Sequence, residues 1–171
     1  MTAYVALLRA VNVGGTGKLP MTVLKAMCDD AGFEHARTYI ASGNVVFESK
    51  LNEASVKAEL EKRLATFAGK HIALMVRSSA ELAAVLRDNP FPEAAPNRSF
   101  AYFLDEAPPA DAIEQVRHLR DEELKLGKRE IYVHYGDGIG TSKLVIPAAK
   151  FATARNMNTV AKLADMAAEL G

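Results

Sequence analysis

The apolar residues between Tyr4 and Arg77 alternate between runs of strand length and stripes of helical spacing, and that order restricts the chain to few folds. Tyr4 to Leu8 is continuously apolar, the mark of a strand buried on both faces. Pro20 suits the first turn of a helix, where its missing N–H costs nothing. Leu24, Met27, Cys28 and Ala31 give that helix one apolar stripe, and Gly32 ends it. Residues 37–41 and 45–48 read as strands, and Ser42-Gly43-Asn44 between them has hairpin-turn chemistry. A second helix is predicted over about Glu53 to Phe67, from Val56, Leu60, Leu64 and Phe67 on one face. Residues 71–77 alternate as a strand through Ile72, Leu74 and Val76. The order β-α-β-β-α-β is the split-βαβ, ferredoxin-like plan, with two helices on one face of a four-stranded antiparallel sheet.

The rest of the chain is less regular. Ser79 reads as the cap of a helix running to about Arg87, which Asn89-Pro90-Phe91-Pro92 breaks. Residues 99–104 read as a strand. Pro108-Pro109 is expected to open a helix carrying Ile113, Val116 and Leu119, with Asp121-Glu122-Glu123 as a solvated helix face. Residues 130–135 alternate as a strand, and Gly136 to Gly140 is a tight turn. Two helical stretches are expected after it, broken by Pro147 and by the polar run 153–159. The last carries Val160, Leu163, Ala167 and Leu170 on one stripe. The predicted class is therefore α+β: a ferredoxin-like subdomain over 1–77 and a second α/β subdomain over 78–171, with no internal sequence repeat.

Charge excludes more than it identifies. Lys plus Arg and Asp plus Glu each total 21, so the formal net charge is zero. A dedicated nucleic-acid binder needs a cationic surplus to neutralise phosphates. Residues 1–77 carry ten basic and seven acidic side chains, and 78–171 eleven and fourteen, giving +3 and −3. One cysteine permits no internal disulfide. The first apolar run is too short for a membrane helix and has no basic segment before it, so a cytoplasmic location is expected and no membrane association.

Three polar stretches are candidate sites. The loop 14–19 (GGTGKL) follows a strand and precedes a helix, where backbone N–H groups and Lys18 could face an anion. A Walker A loop needs glycine at position 12 and a hydroxyl at position 19; this chain has Asn12 and Leu19 there, and a plain connecting loop accounts for the same glycines. The run Thr153 to Thr159 places Arg155, Asn156, Asn158 and Thr159 at the start of the last helix, fit either for an anion or for capping by Asn156 or Asn158. Tyr132 and His134 share a strand face with Glu130, which reads as an acid–base group or as an ordinary half-exposed strand. Cys28 lies on its helix's apolar stripe and reads as a buried, inert thiol. His35, His71, His118 and His134 show no ligand spacing, so neither a metal nor a cofactor is predicted. Tyr4 and Phe47 lie roughly where an RNA-recognition motif carries its stacking aromatics, but SGNVVFES lacks that motif's basic consensus.

YVALLRAVNVGGTGKLPM, FEHARTYIASGNVVFES, TSKL and TARNMNTVAKLADM, in this order from Tyr4 to Met166, resemble the bacterial domain-of-unknown-function family 1697. The chain departs from that family in having Ala10 where glycine is usual and Met157 where tryptophan is usual. The resemblance implies a two-unit α+β protein built from ferredoxin-like pieces and brings no activity with it. It points to Arg9, Asn12, Gly14, Gly15, Lys18, Ser42, Asn44, Lys143, Arg155, Asn156, Asn158 and Thr159 as site residues. The leading expectation is a small anionic or phosphorylated ligand held by the first glycine loop and the last helix start, with Lys18 and Arg155 supplying charge. The alternatives are an enzyme of unassigned class using Tyr132, His134 or Lys143, and an RNA-binding or structural module using the sheet face. Oligomeric state is not legible.

Overall fold

The computed structural model describes residues 1–12, 18–136 and 138–170. The protein is α+β, with two four-stranded antiparallel sheets and four α-helices among the described residues. It divides into two compact units, Met1–Ala83 with Lys162–Gly171, and Ala84–Ala161.

In the first unit, β1 (Thr2–Leu8), β2 (Glu34–Thr38), β3 (Asn44–Ser49) and β4 (Leu74–Ser78) lie in the order β2-β3-β1-β4. Tyr4, Ala6 and Leu8 point to the side of α1 (Met21–Asp30) and α2 (Glu53–Ala68), where they share a core with Leu24, Cys28, Phe47, Leu60 and Leu64. Val5 and Leu7 on the opposite side are also fully buried. This accounts for the unbroken apolar run, since a strand dry on both faces cannot alternate. The helices start and stop as their residues dictate. The Asn52 side chain accepts the Ser55 N–H at the start of α2, and Gly69 ends it at φ +71°. Gly32, at φ +84°, ends α1, where the Phe33 N–H reaches the Cys28 carbonyl.

The second unit repeats the strand plan. Its β5 (Ser99–Phe103), β6 (Glu123–Leu126), β7 (Glu130–His134) and β8 (Thr153–Asn156) lie in the order β6-β7-β5-β8. The correspondence extends to single rows. Arg37, Val46, Val5 and Arg77 are cross-strand neighbours in the first sheet; Lys125, Tyr132, Ala101 and Arg155 are their counterparts in the second. Both last strands run directly into a helix, β4 into α3 (Ser79–Arg87) and β8 into α4 (Met157–Leu170). Arg77 and Arg155 each occupy the penultimate strand position, are buried, and donate Nη1 to the preceding carbonyl at 3.0 and 2.9 Å. What differs is the connections. The apolar face of β5 and β7 packs on irregular chain around Ala112, Leu144 and Ile146 instead of on two helices.

Several expected elements differ, each for a local reason. β2 ends at Thr38 because the Tyr39 carbonyl is taken by the Asn44 side chain and Ile40 turns to φ +51°. β4 starts at Leu74, not residue 71. The cap of α3 is Ser78, not Ser79: Ser78 Oγ accepts from the Glu81 N–H while Glu81 returns a bond to the Ser78 N–H, a capping box. Residues 105–122, all described, form turns and no helix, because Arg117 pairs with Val145 and His118 adopts φ +60°. Glu123 opens β6, and Glu122 is buried. Of the helical stretches expected after residue 138, the last is α4, while the chain before it forms 3-10 turns at Ile139–Thr141 and Pro147–Ala149, and 153–156 is strand. No helix among the described residues is long and apolar enough to cross a membrane.

Two variants test this packing. Ala10 sits at φ +55°, a left-handed conformation that costs a non-glycine residue about 1 kcal/mol. Ala10→Gly should raise stability by up to about that amount in urea unfolding, and a loss of stability would contradict the assigned backbone. Burial pushes the Cys28 thiol up to about 12. It should stay unreactive toward a thiol reagent at pH 8 in the folded protein and react at once in denaturant.

Candidate functional site

Five of the predicted residues gather where β1 ends. The Leu8 N–H donates to the Gly43 carbonyl at 2.8 Å and the Arg9 N–H to the Ala73 carbonyl at 2.9 Å. The end of β1 is thus tied to the β2–β3 turn on one side and the approach to β4 on the other. Asn12 then closes the base of the β1–α1 connection. Its Nδ2 donates to the carbonyls of Leu19 and Ala41, both at 2.8 Å, and its Oδ1 accepts from the Leu19 N–H at 2.7 Å. Across from it, the fully buried Asn44 donates Nδ2 to the Tyr39 carbonyl and to Ser42 Oγ, both at 2.9 Å. Gly43 is required between them. It adopts φ +93°, and a Cβ there would lie 2.6 Å from Val11 Cγ2 and 2.9 Å from Leu8 Cβ.

Backbone strain collects at the same place. Of the five non-glycine residues with positive φ among the described residues, Ala10, Asn12 and Ile40 belong to this cluster. Asparagine tolerates the left-handed region; a β-branched isoleucine there is an outlier. Such strain persists where surrounding bonds over-determine the backbone, and it concentrates at functional sites. Arg9 and Lys18 are exposed on either side of the clasp. Two residues after Lys18, Pro20 stands at the N-cap of α1 and provides no capping side chain, and the first turn has no acidic residue, so the helix's positive end is not neutralised from within. Gly14 and Gly15 lie outside the described residues.

The remaining predicted residues belong to the second unit. Arg155 is a strand residue and is 9% exposed, not an open guanidinium at a helix start. Burial lowers its pKa to about 10. Asn156 caps α4, its Oδ1 accepting from the Thr159 N–H at 2.9 Å; Thr159 is buried and Asn158 exposed. Lys143 is exposed beside Ser142, whose hydroxyl donates to the Glu122 carboxylate. That bond and the Arg120 N–H hold Glu122 below the usual carboxylate range.

The acid–base candidates are largely committed to structure. Tyr132 donates its hydroxyl to the Val85 carbonyl at 2.8 Å, and burial raises its pKa above the usual phenol range. His134 lies 3.8 Å from Glu123 and stacks at a tilt on Phe91. Tyr4 and Phe47 are core residues on the helix side of the first sheet, with no face open to a base. Among the described residues no three His, Cys, Asp or Glu are grouped to hold a metal ion. Sequence reasoning missed Ile40, whose apolar side chain reads as strand, and Glu122, read as a solvated charge. Ala10 did carry a signal, because the resemblance implies glycine at that position, a residue at ease in the left-handed backbone found there.

A model of the family described as protein of unknown function (DUF1697) matches residues 1–132. The conserved bacterial protein SP0830 from Streptococcus pneumoniae has a similar solved structure, with a TM-score of 0.80 and 27% identity over 97% of this chain and 98% of that one. No curated protein matches the chain.

The clasp and the Glu122 tether are each open to test. Asn12→Ala should cost about 1–2 kcal/mol and speed hydrogen exchange at the Leu19 amide, which loses its acceptor. Unchanged protection at Leu19 would remove the clasp. Glu122 has a lowered folded pKa, so its contribution is complete above the ordinary carboxylate value of 4.5 and is lost as pH falls through the folded value. Glu122→Gln should therefore destabilise at pH 7 and narrow its gap to the native protein as pH drops below 4.5. A gap that does not depend on pH would contradict this.

Proposed function

Because the chain belongs to the DUF1697 family, which brings no activity with it, we propose from the site alone that it binds a small anionic or phosphorylated ligand at the end of β1. The observation carrying this is the cluster of left-handed Ala10, Asn12 and Ile40 around the Asn12 clasp. Holding three such residues works against stability, and the bonds from Asn12 and Asn44 maintain them at the mouth of a glycine-rich connection. Asn12 and Asn44 are positioning residues, their amide hydrogens spent on carbonyls and a hydroxyl. Lys18, Arg9 and the positive end of α1 supply the charge, as at other sites where a glycine-rich loop meets a helix start.

The same reading takes the first unit as ferredoxin-like, which its strand order and the placement of α1 and α2 on one face support. It takes the setting as the bacterial cytoplasm, which the single buried thiol of Cys28 suits. Arg155, Asn156, Asn158, Thr159 and Lys143 remain candidates for the second unit's own polar surface, with Arg155 and Asn156 serving its sheet and helix first.

The test is a thermal-shift series with phosphate, pyrophosphate, nucleotides and phosphorylated sugars. At least one is expected to raise the melting temperature in a dose-dependent way, and Lys18→Ala to weaken that ligand about tenfold or more. If no anion shifts the melting temperature, or if Lys18→Ala and Arg9→Ala bind as the native protein does, the reading fails.

A further inference from the structure

The second unit carries a surface unlike the rest of the chain. Arg117 and Val145 form an isolated antiparallel bridge, each N–H donating to the other's carbonyl at 2.9 Å. Leu119 and Lys143 lie two residues along, toward the same end of the bridge. The Ser142–Glu122 bond holds that end together. The outward side chains mix two kinds: Val145 is 40% exposed and Leu119 50%, while Arg117, Arg120 and Lys143 are exposed cations. Residues 117–120 and 138–151 contain Arg117, Arg120, Lys143 and Lys150 and no Asp or Glu, in a chain whose net charge is zero. Asp121, next to Arg120, is exposed, while the carboxylate of Glu122 is buried and turned to Ser142. Neither Arg117 nor Lys143 forms an ion pair with another described residue.

We propose that this face docks an acidic, partly apolar segment of a partner protein. Charge complementarity names the sign of the partner, because the exposed Arg117 and Lys143, which form no ion pair with a described residue, attract an anionic surface and disfavour a basic one. The apolar residues name its class. Leu119 and Val145 are aliphatic and sit beside cations on a hydrogen-bonded pair of chains. Nucleic-acid bases call for planar, aromatic platforms instead. Insertion into a lipid surface calls for an apolar face segregated from its cations. Interleaved cations and aliphatic groups match a segment in which Asp or Glu alternates with Leu or Val.

The probe is a short fluorescent peptide of alternating glutamate and leucine, followed by anisotropy against the full chain. The comparison probes are a lysine–leucine peptide, oligouridylate, and vesicles of phosphatidylcholine with phosphatidylglycerol. Binding of the glutamate–leucine peptide is expected, weakening as salt rises. The double variant R117E/K143E should lose about tenfold or more in affinity, and L119S/V145S should lose affinity without changing the salt dependence. All four positions are exposed, so melting temperatures should stay near native and separate lost binding from lost folding. Absence of peptide binding overturns the proposal, as does binding unchanged in R117E/K143E. Tighter binding of oligouridylate or of the anionic vesicles also overturns it, and assigns the face to nucleic acid or lipid.

Discussion

Each sheet depends on satisfying both edges of one buried strand. β1 is dry on both faces, so its N–H and C=O groups cannot turn to water and must be paired on both sides. β3 and β4 provide that pairing, and β7 and β8 do the same for β5. Once the first strand is central, the second must lie outside the third, and the order β2-β3-β1-β4 and its copy β6-β7-β5-β8 follow. The shared order, the matching rows and the penultimate buried arginines make the second unit a version of the first. Its sequence conceals this because the likeness lies in pairing rather than in side-chain identity. Arg37-Val46-Val5-Arg77 and Lys125-Tyr132-Ala101-Arg155 have one arginine position and an edge cation in common and little else.

The candidate site is a consequence of how β1 ends. At Leu8 and Arg9 the ladder stops and the backbone groups are handed to Gly43 and Ala73. The backbone beyond is left-handed at Ala10 and at Asn12. Asn12 suits this stretch, since asparagine tolerates that conformation and its amide can bridge carbonyls. Lys18 and the start of α1 therefore follow a fixed base, the Asn12 bonds to Leu19. This distinguishes the clasped connection from the turn at Gly136, which is also glycine-rich but is held by Arg98 donating to the Gly136 carbonyl.

The family match adds kinship without chemistry. Its value is geometric: where the resemblance implies glycine, at position 10, the backbone is left-handed. The same holds for the polar segments that carry the resemblance. Asn12, Asn44 and Asn156 prove to be a clasp, a turn and a cap, so part of what looked like a ligand site is backbone accounting.

The sequence by itself determined the elements whose signal is periodic and local. The run Tyr4–Leu8, the stripes of α1, α2 and α4, and strands over 99–104 and 130–135 were readable, because burial of one face imposes a spacing that survives without knowledge of the partner; a cap at Asn156 or Asn158 was readable too, and Asn156 is the one that caps. Even β6 had a signal, Leu124 and Leu126 alternating ahead of Gly127, that the neighbouring Asp121-Glu122-Glu123 obscured. Tertiary structure decided what depends on distant chain. Residues 105–122 and 139–149 have helical spacing in places, yet pairing of Arg117 with Val145 and packing around Ala112 hold them extended or in short turns. Glu122 became a buried acceptor because Ser142 meets it, and Ile40 was bent into a left-handed turn because Asn12 and Asn44 claim the carbonyls on either side of it. Local spacing can specify which face a segment buries; only the folded chain specifies which groups meet it there.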